Sequence, residues 1–269
     1  MKQWRLFQLL KKGGKMDKSI LLTGATGLVG QQLLRHFIHK GYKIVITTRN
    51  LSKVTSLISE LRLEKYNKNI YPIECDFLNY NSEAWKNELN KYKFLFHGII
   101  HTARSLSSLK IEEDNTSSID NILIEYKIGV AVPYKMTMDI ISVNLHKNLK
   151  SIVFISSMYG VVAPTPCLYE NFEASSPIQY GITKSSQIHL TKELAVRLAK
   201  YNIRVNTISL GGIKGRTDKN FMVRYEKLTP LGGMLDKKEV VGPVDFLISE
   251  QSKRMTGHNL VYDGGWTIW

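Results

Sequence analysis

The stretch from Lys18 to Asn50, "KSILLTGATGLVGQQLLRHFIHKGYKIVITTRN", restricts the fold more than any other part of the chain. An apolar run, Ile20 to Leu22, gives way to Gly24, Gly27 and Gly30 and then to an amphipathic pattern at Leu33, Leu34, Phe37 and Ile38. That order predicts strand, tight turn and helix. Gly41 ends the helix, and Lys43 to Thr48 predicts a second buried strand, completing a βαβ unit of about the ~30 residues such a unit needs. Each glycine removes a Cβ where the backbone must turn tightly, approach a pyrophosphate or let the helix pack on the strand, while the helix N-terminus faces the anion. Gly24, Gly27 and Gly30, with Thr23, Thr26, Leu28 and Val29 around them, are therefore the candidate cradle of a dinucleotide.

The second strand ends in Thr47-Thr48-Arg49-Asn50, where an NAD site usually offers an acid to the ribose hydroxyls. No acid stands there. Arg49 can pair with a 2′-phosphate through its planar, permanently charged fork, so NADP is the expected cofactor, with NAD as the alternative; otherwise Arg49 is a solvated loop residue. A third strand is predicted near Asn69 to Glu74, leading into Cys75-Asp76, and a fourth at Phe94 to Ile100, leading into "HTAR". Strands alternating with helices imply a parallel sheet whose ligands sit at its carboxyl edge.

Composition bounds the remaining choices. A chain of 269 residues with 43% hydrophobic content suits one large α/β domain, and nothing in it reads as a linker or a repeat. Cys75 and Cys167 form neither a metal-ligand spacing nor a disulfide framework, and no apolar run is long enough for a membrane span. A reducing cytoplasm is the simple inference. The formal net charge of +14 is spread along the chain instead of gathered into an aromatic-interleaved stripe, so nucleic acid is not an expected partner. One local bias stands out: residues 1–15, "MKQWRLFQLLKKGGK", hold five basic residues and no acid, and removing them lowers the balance to +9. This segment reads as an amphipathic surface helix, a targeting segment or no part of the natural protein. The third reading is favoured, since Lys11 to Lys15 could be the translation of a purine-rich ribosome-binding site before Met16. The expected domain is then 16–269.

In "SPIQYGITK", Ser176 has the character of a helix N-cap, Pro177 suits the first helical position, and Gln179 lies where a capping box would close. Tyr180 and Lys184 then project from one helix face a turn apart, near the positive end of the dipole. A neighbouring cation and a helix N-terminus both favour phenolate over phenol, which suits acid/base work. Taken alone, such a pair also decorates many solvated helix faces.

Further on come "SIVFISSMYG", "QYGITK", "NIRVNTISLGGI" and "TGHNLVYDGGW". With the glycine cradle, these motifs resemble the short-chain dehydrogenase/reductase family from about Lys18 to Trp269. The resemblance implies a single-domain Rossmann fold, an α/β doubly wound parallel sheet of about seven strands with helices on both faces. It implies hydride transfer between a nicotinamide and a carbonyl or alcohol, with Tyr180 as general acid/base. Lys184 would hold the nicotinamide ribose and assist the tyrosine, and Ser157 would hydrogen-bond the substrate oxygen. Asp76 would meet the adenine amino group and Ile213, after paired glycines that include Gly211, the carboxamide; Ala103 belongs to the same cofactor set. The bland alternatives are a strand-end cap for Ser157 and a turn residue for Asp76. Family members commonly form dimers or tetramers, so a homo-oligomer is expected.

Several positions depart from the family pattern. The cradle reads TGxxGxxG, as in the longer branch of sugar-nucleotide epimerases and dehydratases, but fewer than ninety residues follow Lys184, too few for that branch's substrate domain. "HTAR" replaces the usual Asn-Asn-Ala-Gly, which puts His101 and Arg104 near the cofactor ribose; Arg104 binds an anion or fills space. In "YKIGVAVPY", Gly129 aligns with an asparagine that orders a proton-relay water in the family, so the relay is altered or absent, with room left for another water. Leu210 stands where proline is usual. Ser157 and Tyr180 are 23 residues apart, roughly ten more than is common, and the insert is expected to overhang the active site.

These features most resemble reductases of bacterial surface polysaccharides and flagellar nonulosonic sugars. An NADP-dependent oxidoreductase acting on a polar, sugar-derived small molecule is thus the leading reading. The alternatives are a sugar-nucleotide epimerase or dehydratase with bound NAD, and a nucleotide-binding protein that has lost turnover.

Overall fold

A computed structural model describes residues 18–92, 94–215 and 217–269. The basic segment 1–15 and the suggested start at Met16 lie outside these residues. Seven strands, β1 (Ser19–Thr23), β2 (Lys43–Thr48), β3 (Ile70–Glu74), β4 (Phe96–His101), β5 (Ser151–Ser157), β6 (Arg204–Leu210) and β7 (Asn259–Tyr262), form one sheet in the order β3-β2-β1-β4-β5-β6-β7. Every neighbouring pair is parallel. The α-helices are α1 (Leu28–His39), α2 (Ser52–Glu60), α3 (Ser82–Tyr92), α4 (Ile119–Tyr126), α5 (Val132–Ser142), α6 (Phe172–Ser175), α7 (Ile178–Leu198), α8 (Lys219–Lys227) and α9 (Val241–Ile248). This is the expected single-domain, doubly wound α/β fold.

The strands read as continuous apolar runs because both faces of the sheet are covered. Ile20 and Leu22 pack with Leu33, Leu34 and Phe37 of α1 and with Val244 and Leu247 of α9. Leu21 and Val45 point the other way, among Met136 and Ile140 of α5 and Leu194 and Leu198 of α7. A smaller cluster of Met158, Leu168, Tyr225, Met234 and Trp266 lies beyond the sheet's carboxyl edge.

The strand order reverses between β1 and β4. The chain winds outward through β2 and β3, then returns to place β4 on the other side of β1, so their following loops splay apart and open a crevice at the carboxyl edge.

Two local expectations are corrected. β4 runs from Phe96 through His101 and not from Phe94 to Ile100, because His101 still pairs with Thr23 in the ladder while Phe94 stacks edge-on against Tyr71 before the ladder begins. The capping box at Ser176 is not formed. The helix starts at Ile178 with Pro177 at its cap, and the Ser176 amide instead closes α6 by donating to the Phe172 carbonyl. Gln179 is fully buried and its amide ties α7 to the loop after β4: Nε2 donates to the Ser108 carbonyl at 2.7 Å and Oε1 accepts from Ser117 Oγ at 2.6 Å. With both ends of its amide committed to the segment after β4, this side chain is turned away from the cap.

Candidate active site

The crevice is a cleft of roughly 840 Å³ along the carboxyl edge of the sheet. Its floor at one end is the turn between β1 and α1. Gly24 has φ +70°, and a Cβ there would stand 2.7 Å from the Ala103 amide nitrogen; a Cβ at Gly30 would stand 2.1 Å from the Gly24 carbonyl oxygen. Only glycine permits this closeness. Gly27 caps α1 without any side-chain acceptor, and Leu28 and Val29 of the first turn line the cleft, so this helix N-terminus is left to an anionic group. Thr23 Oγ1 accepts from the Thr102 and Ala103 amides at 3.2 and 3.3 Å, locking the loop after β4 against the cradle. The residues present thus fit a dinucleotide.

Thr26, Arg49, Asp76, Ala103, Gly211 and Ile213 line the same cleft, so every residue expected to contact cofactor, apart from Thr23 beneath the floor, borders it. Arg49 is joined by Lys53 from α2. Asp76 is also a turn residue: its carboxylate accepts from the Leu78 amide at 3.1 Å and from Asn79 Nδ2 at 2.7 Å.

At the other end the cleft is lined by Ser157, Tyr180 and Lys184. β5 delivers Ser157 and α7 delivers the other two, and the two elements are pressed together. Ser156 Oγ donates to the Lys184 carbonyl at 2.8 Å, and a Cβ at Gly160 would lie 2.7 Å from the Lys184 carbonyl carbon. Ser157 Oγ accepts from the Tyr159 amide at 3.2 Å, so it does cap the turn after β5; that bond uses a lone pair and leaves the hydroxyl proton to donate. Tyr180 is half-buried, with the Arg104 guanidinium 5.1 Å and the Lys184 ammonium 5.6 Å from its ring centroid. Lys184 itself is buried, donating to the Ile155 carbonyl at 2.9 Å and to Gln187 Oε1 at 3.1 Å. Burial, reinforced by the Arg104 charge and opposed by Glu125, pushes its ammonium down to about 8.

Three expectations fail. His101 does not border the cleft: as the last residue of β4 it is buried against Phe154, with Nε2 3.2 Å from Thr137 Oγ1, and burial pushes its imidazole down to about 3, so it is neutral. Gly129 leaves no room for an extra water, because a Cβ there would meet Thr183 Cγ2 at 2.5 Å and its carbonyl already accepts from Gln187 Nε2 at 2.7 Å. The insert after Ser157 does not line the cleft. Leu168 is fully buried in the small apolar cluster, Tyr169 donates to the Tyr159 hydroxyl at 2.8 Å and packs edge-on against Phe221, and so the insert braces Tyr159 and α8, which do line it.

A family model described as Enoyl-(Acyl carrier protein) reductase matches residues 24–267. The chain belongs to the short-chain dehydrogenase/reductase family. Among similar members, post-translational flagellin modification protein A of Campylobacter coli is 28% identical, with 94% of this chain and 99% of that one covered. The ribulose-forming D-arabinitol 2-dehydrogenase of Candida albicans (strain WO-1) is 27% identical, covering 94% and 93%. A crystal structure of a short-chain dehydrogenase from Leptospira borgpetersenii with bound NAD+ superposes with a TM-score of 0.80 at 26% identity, covering 93% of each chain. As a short-chain dehydrogenase/reductase, the protein is an NAD(P)-dependent oxidoreductase.

Several cleft residues were not singled out by the sequence. Lys53 lies in the first turn of α2, four residues beyond Arg49 in the preceding loop, and could have been found by counting from β2. Tyr159 comes from the turn after β5 and Phe221 and Tyr225 from one face of α8; all three line the cleft, and no motif in the sequence ties them to it.

Proposed function

We propose that the protein transfers a hydride between NADP and the carbonyl or alcohol carbon of a polar, sugar-derived small molecule in surface-glycan assembly. The convergence of Ser157, Tyr180 and Lys184 at one end of a cleft whose other end is a glycine cradle carries this reading. The nicotinamide, when bound, supplies or accepts the hydride. Ser157 donates a hydrogen bond to the substrate oxygen and keeps its proton, stabilising the negative charge that develops there during reduction. Tyr180 delivers the proton to that oxygen, or removes it in the reverse direction. Lys184 keeps one ammonium donor beyond those given to Ile155 and Gln187, and this donor is available to the cofactor ribose. Asp76 and Ile213 border the ends of the site where the adenine and the carboxamide would rest.

The substrate end supports a polar ligand. Arg104 stands over the Tyr180 ring, and no Asp or Glu lines this end among the described residues, which suits a substrate with an anionic group near the reacting carbon. The similarity to a flagellin modification protein supports surface glycans as the setting, and a polyol dehydrogenase relative supports a sugar-like substrate. Two free cysteines suit a reducing cytoplasm. No helix among the described residues is long and apolar enough to cross a membrane. Ile119, Leu123 and Tyr126 of α4 and Ile178 and Ile182 of α7 are exposed, which supports a homodimer or homotetramer. Light scattering on the purified protein tests this, and a monomer throughout would refute it.

Arg49 and Lys53 place two cations where the adenosine 2′-phosphate of NADP would lie, so NADPH is expected to bind more tightly than NADH. Arg49→Ala removes a charge-assisted bond and is expected to weaken NADPH binding about tenfold or more while leaving NADH nearly unchanged. Fluorescence titration of both cofactors decides it. Equal affinities in the unsubstituted protein would overturn the preference.

A further inference from the structure

Gln187 follows Lys184 by three residues on α7, which brings their side chains to neighbouring positions on the helix. It is buried, 2% exposed, and both ends of its amide are committed. Oε1 accepts from Lys184 Nζ at 3.1 Å, and Nε2 donates to the Gly129 carbonyl at 2.7 Å. Gly129 lies in a wide π turn, Lys127–Ala131, between α4 and α5. Such a turn disturbs the regular helical ladder and lets a carbonyl serve a side-chain donor. The approach is close enough to require glycine, since a Cβ at 129 would stand 2.5 Å from Thr183 Cγ2.

This pairing fixes which way the amide faces. A carbonyl oxygen accepts and never donates, so Gly129 must receive the NH2 end, and the oxygen is thereby turned to Lys184. An amide free to flip would at times offer two donors to an ammonium that has none to receive.

We propose that Gln187 is a positioning residue for the reaction: held by the Gly129 carbonyl, it clamps the Lys184 ammonium against the Ile155 carbonyl and so fixes the one donor left for the cofactor. The inference rests on the assignment of Lys184 to cofactor binding. The charged and titratable groups facing Lys184 are Arg104, which disfavours its protonated form, Glu125, which favours it, and Tyr180, whose ring lies alongside. Gln187 adds an uncharged acceptor to this set, which favours the ammonium.

The test reads Lys184 directly, in protein labelled with 13C at lysine Cε, with the Lys184 signal identified by its loss in Lys184→Met. In the parent this signal is expected to titrate near 8, far below exposed lysines, and NADPH affinity is expected to fall as pH rises through that value and the charge is lost. Gln187→Met keeps the volume without the acceptor; it is expected to lower the Lys184 midpoint and to weaken NADPH binding severalfold at neutral pH. Gln187→Glu keeps the shape and adds a negative charge; it is expected to raise the midpoint by about one unit or more and to carry the NADPH-binding profile upward with it. An unmoved midpoint in both variants, with or without a lower Tm, would reduce Gln187 to core filling and overturn the proposal. Failure of the parent to bind NADPH would instead sink the cofactor assignment, while the Lys184 midpoints would still decide the clamp.

Discussion

Tyr180→Phe is expected to abolish measurable turnover, a loss of about 10²–10⁴-fold or more, while NADPH affinity and Tm stay within error of the parent. The reasoning turns on what the hydroxyl does. Among the described residues nothing hydrogen-bonds it, whereas the ring packs under Arg104 and beside Lys184. Phenylalanine keeps the ring and its two cation contacts and removes only the proton donor. A structural tyrosine would give the opposite pattern, retained activity with lowered stability. Steady-state kinetics on any accepted substrate, with cofactor titration and thermal melting beside it, separates the two. Substantial turnover in the variant would remove Tyr180 from the mechanism.

Gly30→Ala is expected to do more damage than any other single methyl group in the cradle. The added carbon would stand 2.1 Å from the Gly24 carbonyl oxygen and 2.8 Å from the Ala25 Cα, and both neighbours are backbone, so neither can rotate away. Either α1 lifts off the turn or the turn opens; both disturb the helix N-terminus proposed to receive the pyrophosphate. Overpacking of this kind costs about 1–3 kcal/mol of stability, and the same displacement should weaken cofactor binding about tenfold or more. Gly242→Ala is the matched control, because nothing lies within 4 Å of the added carbon and the position is helical, where alanine is preferred. Melting curves and NADPH titrations on both variants check the contrast. An unchanged affinity in Gly30→Ala would mean that the glycines do not form the cradle.

What could be read from the sequence was local. The βαβ unit from Lys18 to Asn50 was legible because three glycines, a buried strand on each side and an amphipathic helix between them fall within one supersecondary unit, and β2 has the bounds its apolar run indicates. Tyr180 and Lys184 were legible because a fixed helical spacing puts them on one face. The misreadings arose where a residue had a choice of partners. Gln179 could close a capping box or cross to the loop after β4, and the buried carbonyl of Ser108 won. His101 was assigned to the loop, yet one more rung of ladder with Thr23 turned it into the sheet. The 163–177 insert was expected over the cleft, but the apolar side chain of Leu168 drew it into the small cluster beyond the sheet's carboxyl edge. Gln187 was invisible for another reason: its role depends on a carbonyl 58 residues away in sequence, and no spacing rule reaches across that distance.

The central claim is that hydride passes between nicotinamide and a substrate carbon in this cleft, with Tyr180 handling the proton. It is tested most directly by incubating the protein with NADPH deuterated at the transferable position and a panel of phosphorylated and carboxylated keto-sugars, then examining the products by mass spectrometry. The account predicts a product one deuterium heavier, formed with stoichiometric loss of NADPH by the parent and not by Tyr180→Phe. Deuterium transfer that persists undiminished in Tyr180→Phe, or NADPH that stays bound and unconsumed across the panel, would contradict it.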